Sequence, residues 1–286
     1  MTPFSSRLTR VLLFLPLLAA APVLTVTPDG EVYAVPGGAV ATFPAGTLTT
    51  AAVLRFDQGA MLAEVGEKVR TWALLAAPGL VVTVSGRDIT FEAEGSTAAA
   101  VEQALAAAGV ERERVYAAVL ADRRLFRVGP GQVQYDHARI AAESAALVRP
   151  LAQALGAVPS TPAEARVYAE RALAFVQGLP YERVTRATFA PPLALLREER
   201  GDCDEKATLY AALLRAAMPG LPVAVVTLDQ HAIVVLGLPP RGADRAVTVD
   251  GATWIVAEPA GPALHPLGVL APKTTLDAGF TLRALP

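Results

Sequence analysis

From Tyr135 onward the chain carries helix signals first and strand signals afterwards, and this order restricts the fold more than any other feature. Residues 136–154 read as a helix that Pro150 bends or splits, because proline has no N–H to give the turn before it. Thr161-Pro162-Ala163-Glu164 is a capping box with proline at the first helical position, opening a second helix that reaches about Gln177 and stops at Gly178. A loop with Pro180, Tyr181 and Pro191-Pro192 leads to a short helix over 193–200, ended by Gly201. A third long helix spans about 203–217, closed by Pro219-Gly220. Four short apolar runs follow at 223–228, 231–236, 247–249 and 254–258, with a turn at Asp250-Gly251. Helices followed by closely connected strands predict an α+β fold with helices packed on an antiparallel sheet.

The preceding segment, 24–130, reads as a smaller α+β unit. Residues 24–35 alternate about Asp29-Gly30 and predict a hairpin, and 80–84 with 89–94 predict a second one about Ser85-Gly86. Ser96 is placed to cap an alanine-rich helix that Gly109 would stop. Residues 115–120 and 125–128 are read as a third strand pair. Gly129-Pro130-Gly131 marks the boundary, giving an accessory domain over 24–130 and a second domain over 135–286.

Composition narrows the function. With 25 basic against 27 acidic residues, the chain lacks the positive excess that phosphate neutralisation needs, so no nucleic-acid partner is expected. A hydrophobic content of 53% excludes a disordered chain, and 286 residues suffice for one large or two modest cores. One cysteine, Cys203, excludes an internal disulfide and a multi-cysteine zinc site. Histidine occurs at 137, 231 and 265. No metal or other cofactor is expected, since His231, Glu258 and His265 have no ligand-motif spacing.

Residues 1–23 carry an address. Arg7 and Arg10 precede an apolar run, 11–21, that ends in three alanines, the pattern of an export signal. Even extended to Val26 the run is shorter than the roughly 20 residues a membrane-spanning helix needs. Pro22 disfavours cleavage after Ala21, which leaves a signal peptide and an uncleaved N-terminal anchor both open, and with them membrane association. The expected location is outside the cytoplasm: periplasm, cell envelope or medium.

Cys203 stands where a reactive thiol belongs. Asp202 can cap the helix and Glu205 lies three residues on, so the thiol sits at the positive end of the helix dipole, which favours thiolate. Asp202, Asp204 and Glu205 oppose ionisation, and an imidazolium partner would outweigh them. His231 opens one strand and Glu258 closes another. If 233–236 pairs antiparallel with 254–256, the two lie opposite each other, and a carboxylate can orient one ring nitrogen while the other faces the nucleophile. Gln177 and Tyr181 are candidates for an oxyanion hole. His137 needs no function, and His265, in a Pro/Gly-rich loop, reads as a plain loop residue with a substrate contact as the alternative.

The run Gly201-Asp202-Cys203-Asp204-Glu205-Lys206-Ala207-Thr208-Leu209, continued by Ala212-Leu213-Leu214-Arg215-Ala216, resembles the nucleophile helix of bacterial transglutaminase-like proteins, which share the papain-like fold. Phe175-Val176-Gln177-Gly178-Leu179-Pro180-Tyr181 and Trp254-Ile255-Val256-Ala257-Glu258-Pro259 also fit that pattern, so the resemblance covers about 135–270. It implies a nucleophile at Cys203, a base at His231 and an orienting acid at Glu258, where the wider superfamily more often has Asp. The implied activity is thioester chemistry on peptide or carboxamide bonds of a protein or peptide substrate, as a peptidase, an amidase or an amine acyltransferase. Two other readings stand beside it: a non-catalytic binding or scaffold module of the same fold, and a thiol redox sensor, which lacks a resolving cysteine.

Overall fold

The structure is a computed structural model that describes residues 24–183, 187–276 and 279–286. The expected export segment, including Arg7, Arg10 and residues 11–21, lies outside the described residues. Among those described, no helix is long and apolar enough to cross a membrane.

The chain opens with β1 (Leu24–Thr27), β2 (Gly30–Ala34) and β3 (Val40–Phe43), an antiparallel sheet in that order. The Asp29-Gly30 turn falls as predicted, with Leu24 opposite Tyr33. Gly30 has φ +150°, and a Cβ there would lie 2.5 Å from the Phe43 carbonyl oxygen, so the turn needs glycine. β4 (Leu54–Arg55) leads to α1 (Gln58–Ala76), capped by Asp57, whose side chain accepts the Ala60 N–H at 3.0 Å. β5 (Leu80–Ser85) and β6 (Asp88–Ala93) form the second predicted hairpin.

The next element differs from expectation. α2 (Ala98–Asp122) is capped by Thr97 and runs straight through Gly109 to include 115–120. Its buried Ala108, Glu111, Val115 and Val119 recur at helical spacing, and the apolar run 115–120 was too short for its periodicity to separate strand from helix. β7 (Leu125–Gly129) therefore pairs with β8 (Gln132–Tyr135) across Pro130-Gly131.

The second half follows the sequence closely. α3 (His137–Ser144) and α4 (Arg149–Leu155) are the helix that Pro150 splits. α5 (Pro162–Gly178) has both hydrogen bonds of the Thr161/Glu164 capping box. β9 (Thr188–Phe189) pairs with β4, and α6 (Pro192–Glu198) ends at Glu199 in the left-handed conformation. Then come α7 (Cys203–Ala217), β10 (Val223–Leu228), β11 (His231–Leu236), β12 (Ala246–Val249), β13 (Ala252–Ala257) and β14 (Thr281–Ala284). The five strands form one sheet in the order β12-β13-β11-β10-β14, every neighbour antiparallel. The fold class is α+β.

α7 is buried on nearly every side, as a helix enclosed by others and by a sheet must be. Its Leu209, Tyr210, Leu213 and Leu214 join α4, α5 and one face of the sheet (Val223, Val225, Val234, Ile255) in the main core. Tyr33, Val35, Phe43 and Leu48 of the N-terminal sheet belong to the same core, with Tyr33 edge-on to Phe175 at 6.3 Å. A second core holds α1, α2 and the hairpins, and Ile140 and Phe189 also enter it. The hydrophobic clusters thus divide differently from the boundary read near residue 130. The alternation in β2 and β3 marks an inward face but does not name what covers it.

Candidate active site

Cys203 is the first residue of α7, whose start is fixed by its own side chains. The Asp202 carboxylate accepts the N–H groups of Asp204 (3.0 Å) and Glu205 (3.2 Å), and the Glu205 carboxylate accepts that of Asp202 (3.2 Å). None of these cap bonds uses the Cys203 N–H, which at a helix start points out of the helix end with the dipole. Below it, Lys206 is fully buried and its ammonium donates to the carbonyls of Leu179 (2.8 Å) and Ala260 (2.5 Å), with Gln177 O at 3.5 Å. Those bonds tie the start of α7 to the end of α5 and to the chain just after Glu258.

His231 and Glu258 meet as expected. Nε2 of His231 lies 2.8 Å from Glu258 Oε1, and Thr274 Oγ1 donates to Oε2 at 2.9 Å. A carboxylate accepts, so the ring proton belongs on Nε2 and Nδ1 is the nitrogen left to take another. The register differs by two residues from the direct opposition anticipated. Val234 faces Ala257, so the ladder extended by one sets Glu258 across from Ile233, diagonal to His231 on the same face. The extra methylene of Glu spans that diagonal. Glu258 is 1% exposed, and Thr274 was not legible as its partner from spacing.

The thiol itself departs from expectation. Cys203 is 8% exposed, and its S–H donates to Asp204 Oδ1 at 3.6 Å. The backbone N–H of Ala232, next to His231, also points at the sulfur. Among the described residues no hydrogen bond joins sulfur and imidazole. Burial, followed by the carboxylates of Asp204 and Asp202, pushes the thiol pKa up to about 12, and the Ala232 N–H offsets only part of this. These surroundings do not favour the thiolate expected at the helix start: burial first, then the Asp204 and Asp202 carboxylates, hold the proton on sulfur, and no imidazolium contact offsets them among the described residues.

The oxyanion candidates separate. Gln177 is 2% exposed and its amide nitrogen donates to the carbonyls of Glu258 (2.8 Å) and His265 (2.9 Å). With both N–H groups used, Gln177 is a strut that holds the acid strand and cannot serve the oxyanion hole expected of it. His265 enters the same network through its carbonyl. Tyr181 is 43% exposed on a segment bridged to Gly201; burial first, then its neighbours Cys203 and Asp202, raises its pKa, which sets its phenol near Cys203. Tyr181 remains a candidate donor, with the Cys203 N–H beside it.

His137, which the sequence gave no reason to choose, is buried beside the site. Its ring stacks on Phe189 at 5.3 Å, and Nε2 lies 3.9 Å from Asp204 Oδ2. Burial lowers its pKa. Among the described residues, no three His, Cys, Asp or Glu side chains converge as metal ligands would. Comparisons of the chain with protein-family models, with curated proteins and with solved structures give no match, so a functional reading rests on these residues and their geometry.

Proposed function

We propose that this chain is a transglutaminase-like cysteine enzyme of papain-like fold, exported or held at the membrane through residues 1–23, acting on peptide or carboxamide bonds of protein or peptide substrates. The observation that carries the reading is the His231–Glu258 pair at 2.8 Å, on the strand whose next amide, Ala232, touches the sulfur of a helix-start cysteine. Because the thiol rests neutral, attack takes the general-base route rather than starting from a standing ion pair. Nδ1 of His231 accepts the thiol proton as sulfur bonds to the carbonyl carbon, and the carbonyl π pair moves to oxygen. The Cys203 N–H, with the Tyr181 phenol, faces that oxyanion. Collapse re-forms the carbonyl, breaks the C–N bond and returns the proton from Nδ1 to the leaving amine. The thioester then passes its acyl group to water, giving an acid, or to an amine, giving a new amide; either step restores the thiol.

The test is turnover of a glutaminyl peptide by the full chain, with ammonia release and Cys203 thioester measured by mass spectrometry, with and without an added amine. Turnover that Cys203→Ser and His231→Ala both abolish supports the reading, and the amine dependence separates transferase from hydrolase. The neutral thiol bonded to Asp204 favours a second reading, a non-catalytic scaffold of the same fold. Absence of both turnover and thioester in a folded chain would establish it in place of the first.

A further inference from the structure

Resting on Cys203 as the reacting thiol, we propose that Asp204 is a positioning residue that keeps this cysteine in reserve, engaging its proton and withholding the thiolate until the carboxylate is displaced or neutralised. The geometry is specific to Asp204 among the three acids at the helix start. Asp202 Oδ1 is committed to the amides of Asp204 and Glu205, and the Glu205 carboxylate to those of Ala190 (2.6 Å) and Asp202. Asp204 Oδ1 meets the sulfur at 3.6 Å, and its Oδ2 faces the His137 ring at 3.9 Å, beyond hydrogen-bond reach. Its backbone carbonyl accepts from Thr208 Oγ1 at 2.7 Å, which fixes the turn without using the carboxylate.

His137 is held flat against Phe189 and buried, and burial disfavours its charged form, so it does not cancel the Asp204 charge near neutral pH. Among the described residues, the ionisable groups whose charge bears on the thiol are Asp204 and Asp202 at the start of α7 and Tyr181 before α6; Glu205 follows on α7, His137 at α3, with Asp136, faces Asp204, and His231 on β11 adjoins the Ala232 amide. Of these, Asp204 alone makes a side-chain hydrogen bond to sulfur among the described residues. A negative charge in contact with a buried thiol adds to the cost of ionising it, and it also absorbs part of the dipole field that would otherwise reach the sulfur. A substrate carbonyl drawn to the Cys203 N–H, or a cationic substrate group drawn to Asp204, would release the thiol proton toward His231.

The experiment is iodoacetamide labelling of Cys203 against pH from 6 to 10 in the full chain, compared with Asp204→Asn, Asp204→Glu and Asp202→Asn. Asp204→Asn keeps the shape and removes the charge. It should move the profile about one pH unit lower and label about tenfold faster at pH 8. Asp204→Glu should restore the slow profile, and Asp202→Asn should shift it by less. Asp204→Ser serves the same purpose if the Asn variant does not fold. Coincident wild-type and Asp204→Asn profiles, or an equal shift with Asp202→Asn, would overturn the proposal. Peptide turnover is scored separately: faster labelling without turnover upholds the Asp204 restraint and defeats the enzyme reading, whereas turnover with unchanged labelling does the reverse.

Discussion

Lys206 offers the most quantitative test of how this site is held together. It lies one turn beyond Cys203, is completely buried, and its bonding partners are backbone carbonyls, which accept its protons but bring no negative charge. Burial lowers its pKa from 10.5 to about 8. The sign follows from proton counting. Between pH 8 and 10.5 the unfolded chain keeps a proton that the folded chain has released, so stability rises with pH across that window. Below pH 8 both states are protonated and the full penalty applies, about 3 kcal/mol for a displacement of this size. Lys206→Met preserves bulk and removes the charge, but it strands the carbonyls of Leu179 and Ala260 at about 1–3 kcal/mol each. Relief and loss nearly cancel at pH 7, so the informative quantity is the pH dependence of the difference. Urea denaturation followed by tryptophan fluorescence at half-unit steps from pH 7 to 10.5 should show the wild type gaining about 3 kcal/mol on the variant. The thiol and the tyrosines titrate in both proteins and drop out of the comparison. Parallel stability curves would refute the claim that Lys206 is buried as a costly charge.

Glu205 has the opposite sign: burial raises its pKa from 4.5 to about 7, so wild-type stability should fall by about 3 kcal/mol relative to Glu205→Gln as pH rises from 4.5 to above 7, read by urea denaturation at both ends. Asp244 takes a bidentate pair from Arg166 (2.8 and 2.9 Å) that pins α5 to the loop before β12; Asp244→Asn should cost about 3 kcal/mol at pH 7, measured the same way. The same pairing holds the Asp244 pKa below its usual range, so its contribution is present at neutral pH and lost as pH falls through the lowered value. Two glycines in the N-terminal half should respond oppositely in thermal unfolding. A Cβ on Gly66 would lie 2.4 Å from Val84 Cγ2, so Gly66→Ala should cost about 1–3 kcal/mol, whereas Gly109 faces open space inside α2 and Gly109→Ala should add about 0.5–1 kcal/mol. On the proposed enzyme reading, Glu258→Gln should lower kcat on a peptide amide at least about tenfold with little change in KM, because the ring keeps its position but loses the charge that orients and stabilises it.

Much of this molecule was legible in the sequence wherever the determining physics is local. The Thr161/Glu164 and Asp202/Glu205 boxes, the split at Pro150 and the hairpin at Asp29-Gly30 all appear where neighbouring residues set them. Spacing also brought 233–236 against 254–256, and with it His231 and Glu258 into contact. Gly109 failed as a stop signal because a helix packed along its length tolerates one glycine at a cost near 1 kcal/mol. Tertiary structure alone decided the rest. It put the N-terminal sheet into the same core as α7, spent the Gln177 amide on two distant carbonyls, and set His137 beside Asp204. It also decided the state of the thiol. The sequence determined which charges surround Cys203, but the proton stays on sulfur chiefly because the thiol is buried, a property of the packed whole, and only then because Asp204 and Asp202 lie beside it.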